Sequence, residues 1–236
     1  MKTQLLIFCS VVMLALTAHA GVITYGSIAN SGFIPDNSVV GLGSTASASG
    51  FSGAISAVTV NLNISGGYNG DLYAYLSYGG VLVPLLNRVG VSSADAIGYA
   101  DTGFNVTLSS SGAHDVHLYG NFSPSFNGNG QLTGTWQPDG RAIDPQSPSS
   151  AFDAAGTVTF AALNGLDPNG TWTLFIADLS PGEQSQLLNW SLDITSLSAV
   201  PEPVNVALGI FGGVFLVVTL ARSSRVRKFF HSASAH

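Results

Sequence analysis

The stretch ISAVTVNLNI, residues 55–64, decides the fold class. From Val58 onward, apolar and polar residues alternate with a period of two, which predicts a strand with one buried and one solvated face. The same alternation recurs at residues 72–77, 171–176 and 188–194, where it predicts three more strands. In the last of these, the residues predicted to face inward are Leu188, Trp190, Leu192 and Ile194.

Five shorter runs bounded by Gly, Asn, Asp, Ser or Pro are predicted as further strands: Val22–Tyr25, Gly80–Leu86, Phe104–Leu108, Val116–Tyr119 and Thr157–Phe160. Between the two ends of the chain, no segment has the period of an amphipathic helix. Many short strands joined by polar turns favour an all-β antiparallel sandwich of the jelly-roll type.

Two segments are predicted to be irregular. Residues 122–150 are rich in Ser, Gly and Pro and are predicted to form long surface connections. Gly41–Ala46 matches the spacing G-x-G-x-x-A of dinucleotide-binding loops. Because no βαβ unit surrounds it, this segment is predicted to be an ordinary loop.

Charge and cysteine content limit the possible functions. Residues 21–199 contain two basic residues, Arg88 and Arg141, and twelve acidic ones, which is a net charge of −10. Nucleic-acid binding is excluded, since it requires a basic surface. The single cysteine is Cys9, so residues 21–199 form no disulfide. Their number is enough for one domain with a substantial core.

The N-terminal residues have the three parts of a secretory signal peptide. Lys2 is followed by an apolar run at residues 5–16 and by Ala18-His19-Ala20. We predict that residues 1–20 are a signal peptide cut by signal peptidase after Ala20, with Ala18 and Ala20 as the small residues of the cleavage site. The rest of the chain is therefore expected to be exported.

The C-terminal residues 200–236 have the pattern of a membrane anchor. Residues 204–221 are apolar except for Asn205 and Thr219, and a helix of this length rises about 27 Å, close to the thickness of a bilayer core. A basic cluster follows at residues 222–228, made of Arg222, Arg225, Arg227 and Lys228. The positive-inside bias predicts a single-pass helix with a cytoplasmic C-terminus and the body outside.

The motif Pro201-Glu202-Pro203 stands directly before the predicted membrane helix. The order Pro-Glu-Pro, apolar helix, basic cluster resembles the PEP-CTERM sorting signal of bacterial envelope proteins. This resemblance implies that an exosortase-type membrane enzyme processes the tail and releases the body. The alternative is an ordinary single-pass anchor in which Pro-Glu-Pro is a linker.

Much of the body, best at residues 55–196, resembles the P domain (Homo B domain) of subtilisin-like proprotein convertases. The matching motif residues are Gly70, Asp71, Leu72, Arg88, Trp172, Asp178 and Trp190. The resemblance implies a jelly-roll sandwich that in the family stabilises an adjoining protease. This chain has Gly66-Gly67 where the family has a histidine.

The sequence predicts no catalytic residues, although the resemblance to a domain of serine endopeptidases suggests that activity. His114 and His117 are three residues apart, which on a strand directs them to opposite faces. Neither lies beside a nucleophilic serine in a known protease motif, and a serine protease needs both groups. We therefore predict a protein that is not an enzyme.

Two kinds of ligand are considered for the body. Asp139 and Asp144 flank a turn rich in oxygen atoms and are candidate calcium ligands, with Asp71, Asp101 and Asp178 as further oxygen donors. Tyr73, Tyr75 and Trp136 are candidate contacts for an exopolysaccharide. The leading hypothesis is a non-catalytic envelope or matrix protein with a structural or adhesive sandwich. The alternatives are a carbohydrate-binding module and an accessory or remnant domain of a secreted subtilisin-like protease.

Overall fold

The computed structural model describes residues 32–197, 209–216, 218, 219 and 222, together with the backbone of residues 20–28. Residues 19–198 form one unit and the rest of the chain a second. In the second unit the described residues are helical. None of the helices in the described ranges has both the length and the apolar character needed to cross a membrane.

Most of the predicted targeting residues fall outside this description. The signal peptide up to His19 and much of the predicted membrane helix 204–221 are not described. Ala20 is the first residue of a strand, and Arg222 is helical. The residues that lie outside the described ranges are Ala18, Pro201, Glu202, Pro203, Arg225, Arg227 and Lys228.

The described strands form two sheets. The first contains β1 (Ala20–Ile28), β2 (Gly32–Phe33), β4 (Ala54–Ser65), β7 (Phe104–Ser109), β8 (Leu132–Trp136) and β10 (Gln186–Leu197). Its order is β1-β10-β4-β7-β8, with β2 also paired to β10. The second contains β3 (Ser38–Ala48), β5 (Leu72–Tyr78), β6 (Val81–Asn87) and β9 (Gly170–Asp178), in the order β3-β9-β5-β6. All pairs of described strands are antiparallel except β7 with β8, which are parallel.

The core lies between the inner faces of the two sheets, as the alternating pattern predicts. On β4 the buried residues are Val58, Val60, Leu62 and Ile64, and on β9 they include Trp172. The prediction of an all-β antiparallel fold is confirmed. On β10 the inward face begins with Leu187 and not with Leu188, because the register shifts between Leu187 and Asn189.

Strand β3 corrects the prediction of a loop at Gly41–Ala46. Its inward residues are Ser44, Ala46 and Ala48, which are too small to produce a visible apolar alternation. They are small because large side chains oppose them. The Trp190 indole donates a hydrogen bond of 2.9 Å to the Ser44 hydroxyl, across the sandwich.

Two predicted strands, Val116–Tyr119 and Thr157–Phe160, are wrong. Local hydrogen bonds turn the backbone into 3₁₀ helices at residues 116–122 and 160–163, and residues 157–159 have no regular structure. Residues Val116–Phe122 form one such helix, and the Asp115 side chain accepts a hydrogen bond from the His117 amide at its start. Residues Phe160–Leu163 form another, with the Thr159 side chain in the same role. Two more 3₁₀ helices lie at Asn69–Asp71 and Ser149–Asp153.

Residues 122–150 are only partly the surface connection that their composition predicts. Strand β8 lies within them and adds to the first sheet. Asp139 and Arg141 are buried. Burial is possible because these two charged side chains neutralise each other and their neighbours inside the protein, as described below.

Candidate functional site

An aromatic surface, made of Tyr73, Tyr75 and Phe175, lies on the outer face of the second sheet. These residues alternate along β5 and β9 with the buried residues of the core and are partly exposed. Tyr75 and Phe175 are partners in the register, and their ring centroids are 4.9 Å apart. The ring of Tyr73 lies 5.8 Å from that of Tyr75.

On the neighbouring strands, the residues beside Phe175 and Tyr75 are Gly43 and the buried Pro84. One row across all four strands consists of Gly43, Phe175, Tyr75 and Pro84, and it spans roughly 14 Å at the usual strand spacing. Gly41 has a φ of +59°, and a Cβ atom there would stand 2.5 Å from the Phe175 ring. Glycine at this position therefore lets the ring lie close to β3.

A groove of about 220 Å³ adjoins the aromatic surface. Its apolar walls include Val39, Tyr73 and Phe175, and its polar groups come from Asp144 and Gln146. Val39 is 62% exposed. An open concave surface with apolar walls and a few polar groups is the usual form of a ligand site.

Trp136, the third candidate glycan contact, is not part of this surface. It lies on β8 of the other sheet and is 7% exposed. Its indole donates a hydrogen bond of 3.0 Å to the Thr133 carbonyl. The structure thus brings Tyr73 and Tyr75 together and puts Trp136 in the core. Phe175 was missed by the sequence analysis, although its alternation with Leu174 and Ile176 already directed it outward.

A buried charge network surrounds Asp139, one of the two predicted calcium ligands. One carboxylate oxygen accepts hydrogen bonds from the His117 ring at 2.7 Å and from the backbone amide of Asn87 at 3.1 Å. The other accepts from the backbone and the guanidinium of Arg141, both at 3.2 Å. Asp139 is 1% exposed. Both of its oxygens are therefore already occupied by donors of the protein.

Asp115 and the far nitrogen of His117 complete this network. The Asp115 carboxylate lies 2.6 Å from the Arg141 guanidinium. Burial raises the pKa of Asp115, and the negative charge of Asp139 raises it further, while the hydrogen bond from Arg141 opposes the rise. His117 Nε2 faces the Val91 carbonyl at 3.0 Å. Both ring nitrogens of His117 therefore face oxygen atoms of the protein.

The two histidines do not share a site. His117 is 1% exposed, and both of its nitrogens are engaged within the protein. His114 is exposed, and its ring stacks on Phe122. A general base must reach the substrate proton, and the buried His117 ring cannot do so in this conformation.

Asp144 and Asp101, two of the other predicted calcium ligands, each have a hydrogen-bond partner of their own. Asp144 is exposed and accepts a hydrogen bond of 2.9 Å from the backbone amide of Gln146. Asp101 accepts one of 2.8 Å from the Tyr119 hydroxyl. Within residues 32–197 and the described part of the tail, no three His, Cys, Asp or Glu side chains are grouped so that they alone could hold a metal ion.

Asp71 and Asp178 meet at the end of the second sheet. Asp178 is the last residue of β9 and pairs with Leu72, which follows Asp71. Burial raises the pKa of Asp178 to about 6. The Ser185 hydroxyl is close enough to oppose this rise, and the negative charge of Asp71 adds to it. Burial also raises the pKa of Asp71, while a hydrogen bond from the Ser180 side chain and the positive charge of Arg88 lower it. The ionised pair is therefore unfavourable in the fold as it stands.

The motif residues of the P-domain resemblance fall into two groups. Gly70, Asp71, Leu72, Arg88 and Asp178 lie together where β5, β6 and β9 end or begin, and the Arg88 amide donates to the Leu72 carbonyl at 2.8 Å. Trp172 and Trp190 are 0% exposed and belong to the core. Ser185, which lies near Asp178, carried no sequence signal.

The fold and these clusters define an all-β antiparallel sandwich with one aromatic outer surface and two buried groups of carboxylates. No family model and no curated protein matches the chain. Among solved structures, it is similar to the serine protease of Aeromonas sobria in complex with the chaperone ORF2, with 16% identity over 76% of this chain and a TM-score of 0.41. It is also similar to the serine protease of Aeromonas sobria solved without that partner, with 14% identity over 75% of the chain and a TM-score of 0.38. The chain spans 28% and 27% of the length of these two protease chains.

Proposed function

We propose that this chain is an exported, non-catalytic protein that binds extracellular polysaccharide through its aromatic surface. The observation that carries the proposal is the group Tyr73, Tyr75 and Phe175, held on neighbouring strands beside an open groove. A site built on paired strands keeps its side chains in a defined geometry. Exposed apolar groups with a polar border are typical of interaction sites.

The chemistry of a saccharide suits this surface. A sugar ring has an apolar face of C–H groups that packs on aromatic rings, and hydroxyls that bond to carboxylate and amide groups such as those of Asp144 and Gln146. The net charge of −10 on residues 21–199 repels anionic polymers. We therefore infer that the ligand is a neutral polysaccharide.

Substitution of the aromatic surface is expected to abolish retention on polysaccharide. The full-length chain is passed over beads carrying a neutral glucan, galactan or mannan, or the anionic polymer alginate. We expect retention on at least one neutral polymer and a loss of affinity of at least tenfold in Tyr75→Ala and in Phe175→Ala. Loss of a ring removes most of the buried apolar contact area, which accounts for a change of this size.

The matched control is Phe33→Ala, which removes an aromatic ring that is 61% exposed and lies on the other sheet. This variant is expected to bind like the unmodified chain. The proposal is wrong if none of the polymers retains the protein, or if Phe33→Ala weakens retention as much as Phe175→Ala does.

We also propose that the chain is delivered to the bacterial cell envelope by a signal peptide and an exosortase-type sorting tail. Residues 1–20 and the order Pro201-Glu202-Pro203, apolar segment and basic cluster support this proposal. Cleavage after Ala20 would leave the strand residues 21–28 in the mature protein. In the proposed arrangement the tail is anchored with its C-terminus in the cytoplasm until the body is released.

Loss of the sorting motif is expected to change the location of the protein. We expect a tagged chain to fractionate with the envelope or the medium, and Glu202→Ala combined with removal of the four basic residues to alter that distribution. Glu183→Ala, an exposed acidic residue of the body, is the control. Retention of the unmodified chain in the cytoplasm, or identical fractionation of all three proteins, would contradict the sorting proposal.

Within the antiparallel sandwich class, we assign the jelly-roll arrangement. The supporting observation is the strand order, with β1-β10-β4-β7 opposite β3-β9-β5-β6. Without β2 and β8, each sheet has four strands in which strands from both halves of the chain are neighbours, as in a double Greek key.

A role as an accessory or remnant domain of a secreted subtilisin-like protease is the second candidate. It is supported by the convergence of Gly70, Asp71, Leu72, Arg88 and Asp178, the residues that carry the P-domain resemblance. A protease gene beside that of this chain would favour this role, whereas polysaccharide synthesis genes would favour the first.

A further inference from the structure

Asp178 is a buried carboxylate without the partners that such a group needs. It is 1% exposed, and in the described part of the chain neither of its oxygens has a hydrogen-bond partner of good geometry, although the Ser185 hydroxyl and the Ser180 backbone lie close enough to lower its pKa. A buried charge without compensation is strongly unfavourable. Asp139 shows the contrast in the same protein, because four donors, two of them from Arg141, surround its carboxylate. Among the described residues, nothing compensates the charge of Asp178 in this way.

Neighbouring charges add to this requirement. Asp71 is 6% exposed, and both it and Asp36 repel the negative charge of Asp178. Arg88 acts on Asp71, but its Nε is itself buried and, among the described residues, without a hydrogen-bond partner. Among the described residues, three carboxylates are thus accompanied by one cationic side chain, Arg88, at this end of the sheet.

Ser185 provides an independent observation at the same place. Ser185 directly precedes β10, whereas Asp71 precedes β5 and Asp178 ends β9. It is 0% exposed, and its Oγ has no hydrogen-bond partner within residues 32–197. Its closeness is enough to influence the pKa of Asp178. Gly67 leaves room for this hydroxyl, since a Cβ at Gly67 would stand 1.9 Å from Ser185 Oγ.

We propose that Asp71, Asp178 and Ser185 bind a calcium ion. All of the donors are oxygen atoms, which favours a hard cation over zinc or copper. With only two buried carboxylates, carbonyl oxygens and water must complete the coordination, and calcium accepts six to eight such ligands with flexible geometry. Magnesium requires a stricter octahedron and loses its water less readily.

A bound ion would join two parts of the chain that are distant in sequence. Asp71 precedes β5, and the segment between Asp178 and Ser185 connects β9 to β10. The Leu179 amide donates to the Asp71 carbonyl at 2.9 Å, so the start of the β9–β10 connection already contacts the residue before β5. Calcium would neutralise the repulsion there and hold the connection between the two sheets.

The test uses the full-length chain in detergent, freed of metal with a chelator and then dialysed. Calcium chloride or magnesium chloride is added up to 10 mM, and both the melting temperature and the heat of binding are measured. We expect calcium to raise Tm by several degrees through preferential binding to the folded state, with a smaller effect of magnesium. In Ser185→Ala, calcium affinity is expected to fall about tenfold, since a ligand is lost.

Asp178→Asn distinguishes a metal ligand from a structural residue. Without metal, this variant is expected to be at least as stable as the unmodified chain, because it removes an uncompensated buried charge. It is expected to lose the stabilisation by calcium, whereas Asp144→Asn keeps it. The proposal is overturned if calcium neither binds nor raises Tm in the unmodified chain, or if Asp178→Asn retains the calcium response. It is also overturned if Asp178→Asn lowers Tm equally with and without calcium.

Discussion

Replacing Asp139 with alanine is expected to lower the free energy of unfolding by about 3–5 kcal/mol. The substitution removes one acceptor of Arg141 and one of His117, and leaves the backbone amide of Asn87 without its partner. Arg141 is 4% exposed, so water does not replace the lost carboxylate. Denaturant unfolding of the full-length chain, followed by tryptophan fluorescence, measures the change.

Asp144→Ala is the control for this experiment. Asp144 lies in the same turn, but it is exposed and bonds only to a nearby amide in the described structure. Its replacement is expected to change the free energy of unfolding by no more than about 0.5 kcal/mol. Equal effects of the two substitutions would show that the charge network around Asp139 does not stabilise the fold.

Replacing Trp190 with alanine is expected to destabilise the protein by about 3–5 kcal/mol. Its side chain is 0% exposed and lies between the two sheets. The substitution leaves a large cavity that the small residues of β3 cannot fill, since Ser44, Ala46 and Ala48 face this part of the core. The variant is measured by thermal and denaturant unfolding in parallel.

Ser44→Ala separates the hydrogen bond of Trp190 from its packing. This variant keeps the ring but leaves the indole N–H without its acceptor, which is expected to cost about 1–3 kcal/mol. Trp190→Phe combined with Ser44→Ala should then cost less than the sum of the two single changes, because the polar partners are removed together. Full additivity would show that the hydrogen bond does not couple the two sheets.

The strands with large alternating residues could be predicted because each contains its own signal. In β4, β5 and β9, every second residue is apolar and most of these residues are large, and this period is independent of what the strand contacts. Strand β3 could not be found in this way. Its inward side chains are small because tryptophans from other strands fill the space, and only the three-dimensional packing reveals that relation.

The candidate sites likewise contain a part that the local sequence predicts and a part that depends on tertiary contacts. The outward direction of Tyr73 and Tyr75 followed from their alternation with Leu72, Ala74 and Leu76, so part of the aromatic surface was predictable. The addition of Phe175 and the separation from Trp136 depend on which strands are neighbours. The occupied state of Asp139 depends on His117 and Arg141, which reach it from other turns of the chain.

By itself, the sequence determined the all-β class, the acidic body without disulfides and the predicted signals for export and sorting. These properties depend on composition, local order and a period of two residues. Only the tertiary structure decided which carboxylates are paired with cations and which are not. Asp139 and Asp178 look alike in sequence, but one is surrounded by donors and the other is buried with no well-placed donor among the described residues. Partners at distant positions determine that difference, because electrostatic compensation acts through space and not along the chain.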